Sequence, residues 1–418
     1  MESILLINAR IVNEGSIREA DVRIHGGRIV TIASCLSAMP SERVIDCAGR
    51  HVLPGMIDDQ VHFREPGATH KGCIKTESAA AVCGGVTSYM EMPNTSPPTL
   101  HPDAIRDKKC IAARDSHANY AFYMGASNDN LEVIKRLDPR SVAGVKVFMG
   151  ASTGNMLVDD PAILQGIFAH APCLVATHCE NTPMIRQAVA TAQAQFGECI
   201  PHALHASLRS REACYASSSL AIALAKEHRT RLHVLHLTTA DELSQFNPGD
   251  HRGKRITAEV CVHHLIFTDH EYGRLGTKLM CNPSVKTHAD RTALRQALVD
   301  DRIDIIATDH APHTVIEKSN PYTRAPAGLP LVEYVVPALL DLVHQGALSL
   351  ERLVGKTSHA VADCYQVQER GYIREGYWAD LIVVDLDADT IVDERPLRSR
   401  CGWTPFNGRC FHGRVDLT

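Results

Sequence analysis

The 418-residue sequence has no excess of positive charge, no long apolar run and no Cys-x-x-Cys motif. Lysine and arginine number 43 against 48 acidic residues, a net charge of −5, which argues against a nucleic-acid or anionic-membrane partner. No apolar stretch reaches the roughly 18 residues that span a bilayer, and the opening MESILLINAR lacks the basic start and unbroken apolar run of a signal peptide. We therefore expect a cytoplasmic protein.

The 14 cysteines are scattered between Cys35 and Cys410. A chain of this length has enough core to fold without disulfides, so we expect reduced, mostly buried thiols. Hydrophobic residues make up 44% and charged residues 22%, which excludes the disordered, collagen-like and coiled-coil classes. The length fits one barrel-sized domain with an appendage, or three small domains.

The two ends of the chain share a pattern that the middle lacks. Residues 1–54 and 366–418 contain short alternating runs, such as SILLINARIV and GYWADLIVVDLD, that are broken at glycine as antiparallel strands are. We predict that these ends pair into one small β-sandwich domain, which the central domain interrupts.

Residues 55–365 alternate short apolar runs with longer segments of helical period, a pattern typical of βα units around a parallel sheet. The candidate strands are GMIDDQVHF, VTSYMEM, NYAFYMG, VAGVKVFMG, CLVATH, LHVLHL, TAEVCVHH and DIIATDH. Eight such units favour an α/β fold, a (β/α)8 TIM-like barrel, over an open sheet.

Most of these strands end in a side chain capable of chemistry: His62, Asn94, Lys146, His178, His236, His264, and Asp309 with His310. A single histidine at a strand end is most often a hydrogen-bonded packing residue or a surface residue. In a (β/α)8 barrel, however, all strand C-termini lie on one face, so these side chains should converge. The joint pattern therefore predicts an active site at the barrel mouth.

Several imidazoles and a carboxylate at one mouth form a donor set that suits Zn²⁺, with Mn²⁺ and Fe²⁺ as alternatives. Such an ion lowers the pKa of a bound water to about 7 and polarises a carbonyl group. Lys146 is unusual, because the apolar strand VAGVKVFMG would bury its ammonium at a severe cost unless the group is neutralised or modified. The alternative is a lysine that extends past the strand end to solvent.

The string GMIDDQVHFREPG resembles the first-strand signature of the cyclic amidohydrolases. With MPNTSPPT, KVFMG, THCE, LHLTTA, NPSVK, ATDHAPH and CGWTPFNGR in compatible order and spacing, nearly the whole chain resembles the long, barrel-plus-β-sandwich type of the dihydroorotase family. The resemblance implies reversible ring chemistry that interconverts N-carbamoyl-L-aspartate and (S)-dihydroorotate in de novo pyrimidine (UMP) biosynthesis.

The resemblance also implies roles for individual residues. The metal ligands would be His62, Lys146, His178, His236 and Asp309, with Lys146 as a CO₂-derived carbamate that bridges up to two Zn²⁺ ions. Arg64 would bind the substrate carboxylate, because a planar guanidinium pairs with it bidentately. Further substrate contacts would be Asn94, Asn282, His313 and the backbone of Ala327 and Gly328. In hydrolysis a metal-activated hydroxide would attack the ring carbonyl, and Asp309 would carry the proton to the leaving nitrogen.

Gln60 departs from the family pattern, which has histidine two positions before His62. We name two half-sites: the His62 half-site of His62, Lys146 and Asp309, and the His178 half-site of Lys146, His178 and His236. Because an amide oxygen is a weaker ligand than an imidazole nitrogen, the His62 half-site should bind its metal less tightly. Either Gln60 or a neighbouring acid, Asp58 or Asp59, replaces the histidine as a ligand, or a single metal ion is sufficient for the reaction. Asp58 could instead orient a metal ligand by a hydrogen bond.

Two rival functions are open. A sister cyclic amidohydrolase acting on hydantoin, dihydropyrimidine or allantoin would keep the metal ligands without needing Arg64 and Asn94 for a carboxylate. A catalytically silent homologue, kept as a partner of a transcarbamoylase, has only Gln60 in its favour. We also expect a homodimer. The segment MGASTGNMLVDD after Lys146 is an ordinary βα loop or a mobile lid.

Overall fold

The computed structural model describes residues 3–150, 156–393 and 397–418. Part of the segment MGASTGNMLVDD, residues 151–155, lies outside them, so both interpretations of that segment stay predictions.

The strands are β1 (Ser3–Asn13), β2 (Ser16–His25), β3 (Arg28–Ala33), β4 (Arg43–Asp46), β5 (His51–Pro54), β6 (Met56–Val61), β7 (Val86–Glu91), β8 (Asn119–Phe122), β9 (Met124–Gly125), β10 (Val145–Phe148), β11 (Val175–His178), β12 (Leu232–Val234), β13 (Ile256–Cys261), β14 (Ile305–Ala307), β15 (Leu381–Ile391) and β16 (Cys410–Leu417). The α-helices are α1 (Ile74–Cys83), α2 (Pro102–Asp115), α3 (Leu131–Lys135), α4 (Pro161–His170), α5 (Thr182–Phe196), α6 (His205–Leu208), α7 (Arg211–His228), α8 (Val262–Ile266), α9 (Tyr272–Leu275), α10 (His288–Val299), α11 (Val315–Lys318), α12 (Val335–His344), α13 (Leu350–Val354) and α14 (Ala360–Tyr365).

Strands from both chain ends share one seven-stranded sheet, in the order β16-β15-β5-β1-β2-β3 with β4 beside β1. The ends meet where β5 and β15 pair antiparallel, with Pro54 opposite Leu381 and His51 opposite Val384. Alternate apolar side chains, including Leu6, Ile11 and Val22, pack in a cluster of their own. The alternating pattern of the two ends therefore reflects a shared sheet with a buried face.

The central strands are parallel, in the orders β6-β7-β8 and β14-β13-β12-β11-β10-β9. Each of the eight apolar runs contains a strand, and the third run is divided at Tyr123 into β8 and β9. A parallel bridge between Val61 and His310 links the end of β6 to the residues after β14. The chain therefore has an α/β, TIM-like fold, as the alternation of apolar runs and helical segments predicted.

The helices between the strands follow the expected local signals. In α10 the Thr287 side chain accepts from the Asp290 backbone N–H and the Asp290 carboxylate bonds back, a reciprocal cap that fixes where the helix begins. The same helix buries Leu294 and Leu298, which join the core around the parallel strands. Helices α1, α7 and α10 lie within HKGCIKTESAAAVC, REACYASSSLAIALAKEH and HADRTALRQALVDD, three of the segments of helical period in residues 55–365.

Two further expectations can be compared with the structure. All 14 cysteines are free thiols, and seven of them are buried. Among the residues that the structure describes, no helix is long and apolar enough to span a bilayer.

Candidate active site

A cavity of about 200 Å³ opens where the C-terminal ends of the parallel strands meet. Its wall contains every residue that the resemblance assigned to metal or substrate, together with Gln60: Gln60, His62, Arg64, Asn94, Lys146, His178, His236, Asn282, Asp309, His313, Ala327 and Gly328. Phe148, Ala311 and Pro326 complete the lining. Residues more than 260 positions apart, such as Gln60 and Gly328, therefore share one small cavity.

Two strand-end histidines have other partners. His264 Nε2 lies 3.1 Å from the Pro283 carbonyl oxygen, and His310 Nε2 lies 2.9 Å from the Glu77 carboxylate. Neither side chain lines the cavity. Both follow the pattern of hydrogen-bonded packing residues, which is the more common role of a histidine at a strand end.

The His178 half-site brings two imidazoles together, with their ring planes at 77° to each other. His178 Nδ1 lies 2.9 Å from His236 Nε2, and His178 Nε2 lies 2.8 Å from the Glu180 carboxylate, which also accepts from Arg209. Burial raises the pKa of Glu180, but Arg209 and His178 outweigh it and hold that pKa well below its usual value. Glu180 is therefore a carboxylate, which fixes the proton of His178 on Nε2 and leaves the Nδ1 lone pair facing His236.

Burial lowers the pKa of both imidazoles, most strongly for His236, so both are neutral at physiological pH. His236 Nδ1 is buried and has no hydrogen-bond partner within residues 3–150, 156–393 and 397–418. Two neutral imidazoles with nitrogens that face each other, one oriented by a carboxylate behind it, form a donor pair that suits a divalent cation. On this observation the residues fit a metal ion.

The His62 half-site joins residues from opposite ends of the central domain. His62 Nε2 lies 3.0 Å from Asp309 Oδ1, and His62 Nδ1 lies 2.8 Å from Asn94 Oδ1. Asn94 therefore orients His62 in this structure, in addition to lining the cavity. Lys146 is only 1% exposed, and burial lowers its pKa to about 8. The side chain does not reach past the strand end to solvent, so the cost anticipated for a buried ammonium is present.

Of the three candidates to replace the missing histidine, only Gln60 lines the cavity. Asp58 accepts from the Thr308 backbone N–H at 3.1 Å and from the Thr308 hydroxyl at 2.5 Å, which ties β6 to the residue after β14. Burial raises the pKa of Asp58 to about 7. Asp59 Oδ2 lies 3.4 Å from His233 Nε2, in a different cluster.

Arg64 also lines the cavity. Its Nε donates to the Pro312 carbonyl oxygen at 3.0 Å, and its second terminal nitrogen lies 3.0 Å from His313 Nε2. The Lys71 ammonium donates to His313 Nδ1 at 3.0 Å, so His313 Nε2 carries the proton and donates to the Ala327 carbonyl oxygen at 3.0 Å. Arg64 therefore has no acceptor on His313, and its terminal N–H groups can bind an anion. Burial lowers the pKa of Arg64 to about 10, so the guanidinium is still charged at neutral pH.

The loop containing Ala327 and Gly328 closes the cavity on one side. Gly328 has a φ of +143°, and a Cβ there would lie 2.5 Å from the Ala311 carbonyl oxygen, so this position requires glycine. Its backbone N–H is already used, donating to the Met280 carbonyl oxygen at 2.9 Å. The Asn282 Oδ1 atom, by contrast, is buried and has no hydrogen-bond partner in the described part of the chain, which leaves it available to a ligand.

Sequence reasoning missed three residues that support the site. Glu180 orients His178, and its signal was present in THCE, two positions after the histidine. Lys71 fixes the protonation of His313, and Lys318 donates to the carbonyl oxygens of Met280, Pro326 and Gly328. The two lysines stand in segments without a recognisable pattern, so no signal pointed to them.

Comparisons with known proteins agree with this geometry. The amidohydrolase family matches residues 51–408. A dihydroorotase of Halobacterium salinarum is 33% identical over 406 residues, covering 96% of this chain and 92% of the relative. A dihydroorotase of Methanosarcina acetivorans is 31% identical over 420 residues, covering 98% and 89%. Among solved structures, an L-hydantoinase (dihydropyrimidinase) from Arthrobacter aurescens superposes with a TM-score of 0.93 at 29% identity, covering 99% of this chain and 94% of that one.

The cavity and the family match define a hydrolytic enzyme of the amidohydrolase class. Within that class, the chain belongs to the dihydroorotase family.

Proposed function

We propose that this chain catalyses the reversible hydrolysis of (S)-dihydroorotate to N-carbamoyl-L-aspartate. The observation that carries the proposal is Arg64, a charged guanidinium fixed in the wall of the same cavity as the metal-capable residues. Dihydroorotate differs from dihydropyrimidine and hydantoin rings by its carboxylate, and Arg64 matches that group in charge and shape. The dihydroorotases among its relatives support the same assignment.

His62, Lys146, His178, His236 and Asp309 would hold one or two Zn²⁺ ions, with Gln60 beside the His62 half-site. When bound, such an ion supplies an activated water and polarises the ring carbonyl. A CO₂-derived carbamate on Lys146 is supported by the buried amine, whose pKa of about 8 leaves far more neutral amine to react than an exposed lysine has. The carbamate would also replace a buried cation by an anion among neutral imidazoles.

The chain's own side chains then have distinct tasks. Arg64 holds the substrate carboxylate, and Asn282 Oδ1 accepts from a ring N–H. Asp309 Oδ1, kept in place by His62 at 3.0 Å, holds the proton and passes it to the leaving ring nitrogen. His313 and the loop at Ala327 and Gly328 exclude water from the far side of the ring.

At the scale of the fold, we extend the proposal to a closed (β/α)8 barrel of residues 55–365 that interrupts a β-sandwich of residues 1–54 and 366–418. The bridge between Val61 and His310 and the pairing of β5 with β15 support it. The cytoplasmic location, the homodimer and a transcarbamoylase partner stay predictions from composition and resemblance.

The test is turnover of dihydroorotate, dihydrouracil, hydantoin and allantoin at equal concentrations of metal-replete enzyme. Dihydrouracil is the matched comparison, because it is the same ring without the carboxylate. We expect dihydroorotate to be hydrolysed with the highest kcat/KM and N-carbamoyl-L-aspartate to be cyclised in return. Preference for an uncharged ring would contradict the proposal and favour the hydantoinase activity named for the Arthrobacter aurescens structure.

A further inference from the structure

A second group of metal-capable side chains lies inside the protein, outside the cavity wall. Asp59 on β6, His233 on β12 and Glu259 on β13 are all 0% exposed, and their ligand atoms lie within 4.8 Å of one another. The pairing of β6 with β7 shifts register between Asp58 and Val61, as at a β-bulge. The consecutive side chains of Asp59 and Gln60 therefore both lie in the interior of the protein. Gln60 lines the cavity, while Asp59 contacts the buried group.

The distances in this group are too long for good hydrogen bonds. His233 Nε2 lies 3.4 Å from Asp59 Oδ2 and 3.5 Å from Glu259 Oε2. Both Asp59 oxygens, Glu259 Oε2 and His233 Nε2 are buried and have no hydrogen-bond partner among the described residues. A tetrahedral ion with bonds of about 2.1 Å separates neighbouring ligand atoms by about 3.4 Å. The separations are therefore those of ligands around a cation.

The other atoms of the group are already oriented for that purpose. His233 Nδ1 lies 2.8 Å from the Thr257 hydroxyl oxygen, which itself donates to the Leu232 carbonyl oxygen at 3.3 Å. Thr257 therefore accepts from His233 Nδ1–H, which directs Nε2 toward the Asp59 and Glu259 carboxylates. Glu259 Oε1 accepts from the His236 backbone N–H at 3.1 Å, which leaves Oε2 for the centre of the group.

Charge balance points the same way. In the described part of the chain, Asp59 and Glu259 form ion pairs with His233 alone, and neither pairs with a lysine or an arginine. Two carboxylates and an imidazole buried together need compensating charge, from protons or from a cation. Burial lowers the pKa of His233, but the neighbouring carboxylates outweigh it and raise that pKa well above its usual range, while burial and Asp59 raise the pKa of Glu259. A cation would therefore bind in place of protons. A divalent cation with two carboxylate oxygens and one imidazole nitrogen makes the group neutral, and this donor set suits Zn²⁺ or Mn²⁺.

We infer that Asp59, His233 and Glu259 bind a structural divalent cation beneath the active site, separate from any ion at the barrel mouth. The ion joins β6, β12 and β13 at one point. Through Glu259 it also anchors the backbone of His236, whose φ is +39°. The inference does not depend on which ring the enzyme hydrolyses.

The test is the metal content per folded chain, measured by mass spectrometry after loading with Zn²⁺ and, separately, with Mn²⁺. Asp59→Asn should bind one ion fewer than the natural sequence. Asp58→Asn is the matched control, because it changes the adjacent buried carboxylate, which bonds to Thr308 and does not contact the group. Circular dichroism establishes that each variant is folded.

A Lys146→Ala, His178→Ala variant separates the two sites, because it removes ligands at the mouth only. We expect it to keep one ion per chain, which a further Asp59→Asn change should abolish. An anomalous diffraction map of the zinc-loaded natural protein should show a peak between Asp59, His233 and Glu259, and it needs no variant to fold. Equal metal content with and without Asp59→Asn, or no anomalous peak there, would overturn the inference and leave a cluster that is balanced by bound protons.

Discussion

Three non-glycine residues at the cavity have left-handed backbones: Arg64 with φ +70°, His236 with φ +39° and Asp309 with φ +49°. Such conformations cost about 1–3 kcal/mol each and persist where surrounding contacts enforce them. Arg64 is held through Pro312, His236 through Glu259, and Asp309 lies against His62. The chain therefore accepts local strain at the residues that the proposed reaction uses.

Arg64→Met tests substrate recognition. Losing a bidentate, charge-assisted contact should cost about 2–4 kcal/mol, or roughly 30- to 800-fold in kcat/KM for dihydroorotate. Turnover of dihydrouracil, which has no carboxylate to lose, should change little, and metal content should stay constant. Steady-state kinetics on both substrates check this, and equal kcat/KM for dihydroorotate in variant and parent would contradict the role of Arg64.

Lys146→Ala tests the bridging role. If a carbamate on this lysine joins the two half-sites, the variant should lose mouth metal and activity together. A small carboxylic acid such as acetate or propionate should restore part of both by supplying the missing oxygens. Metal analysis with and without the acid is the measurement, and a Lys146→Ala protein with undiminished mouth metal would rule the bridge out.

Gln60→His tests the weak half-site. Gln60 is the one candidate replacement that lines the cavity, and its amide is a poorer donor than an imidazole. Graded chelation of the natural protein should therefore remove the metal at His62 first, and Gln60→His should raise mouth occupancy toward two ions. Equal, tight occupancy of both half-sites in the natural protein would show that Gln60 is an adequate ligand.

Among the elements, the parallel strands were the most predictable. Each was a short, largely apolar run with a polar end, because a strand covered on both faces is mostly apolar while its end opens on the cavity. Two features of these strands could not be predicted. Tyr123 divides the third run, and its hydroxyl donates to the Asp59 carbonyl oxygen at 3.0 Å. The register shift in β6, which sends Asp59 and Gln60 to different clusters, depends on pairing with β7.

The residues of the candidate site were predictable where they stand in family motifs. The residues that hold them in place from other parts of the chain were less predictable. His62, Lys146 and Asp309 stand in recognisable strings, whereas Lys318 supports the cavity through backbone carbonyls that any sequence would provide. Likewise, Asp59 was a candidate metal ligand at the barrel mouth, because it is a carboxylate close to His62 in the sequence. Only the fold shows that it faces His233 instead.

Lys318→Met tests how the loop after Pro326 is held. The buried ammonium donates to three carbonyl oxygens, those of Met280, Pro326 and Gly328, at 2.8–3.2 Å. Leaving these carbonyls unpaired should lower the free energy of unfolding by about 1–3 kcal/mol and raise the KM for dihydroorotate. Urea denaturation and steady-state kinetics provide the measurements.

Lys135→Met is the control for that change. Lys135 pairs with Glu132 on an exposed helix surface, where an ion pair contributes little, so neither stability nor KM should move by much. A Lys318→Met protein that behaves like this control would show that the loop is held by other contacts.

At the scale of the whole molecule, the C-terminal end of the chain contacts residues around the cavity in addition to completing the sheet. Trp403, in the C-terminal string CGWTPFNGR, donates from Nε1 to the His313 carbonyl oxygen at 2.7 Å. Ser399 donates to Glu77 at 2.6 Å, and Glu77 in turn bonds to His310 at 2.9 Å. The C-terminal segment from Ser399 thus braces the surroundings of a cavity whose lining begins at Gln60.

The central claim is that the cavity hydrolyses dihydroorotate with a bound metal ion. The most direct measurement is the ring-opening rate of chelator-treated protein titrated with Zn²⁺, followed by the loss of the ring's ultraviolet absorbance. We predict no turnover without metal and a rate that rises to a plateau at a stoichiometric amount of Zn²⁺, with N-carbamoyl-L-aspartate as the product. Full activity in metal-free protein, or no ring opening at saturating Zn²⁺, would contradict the claim.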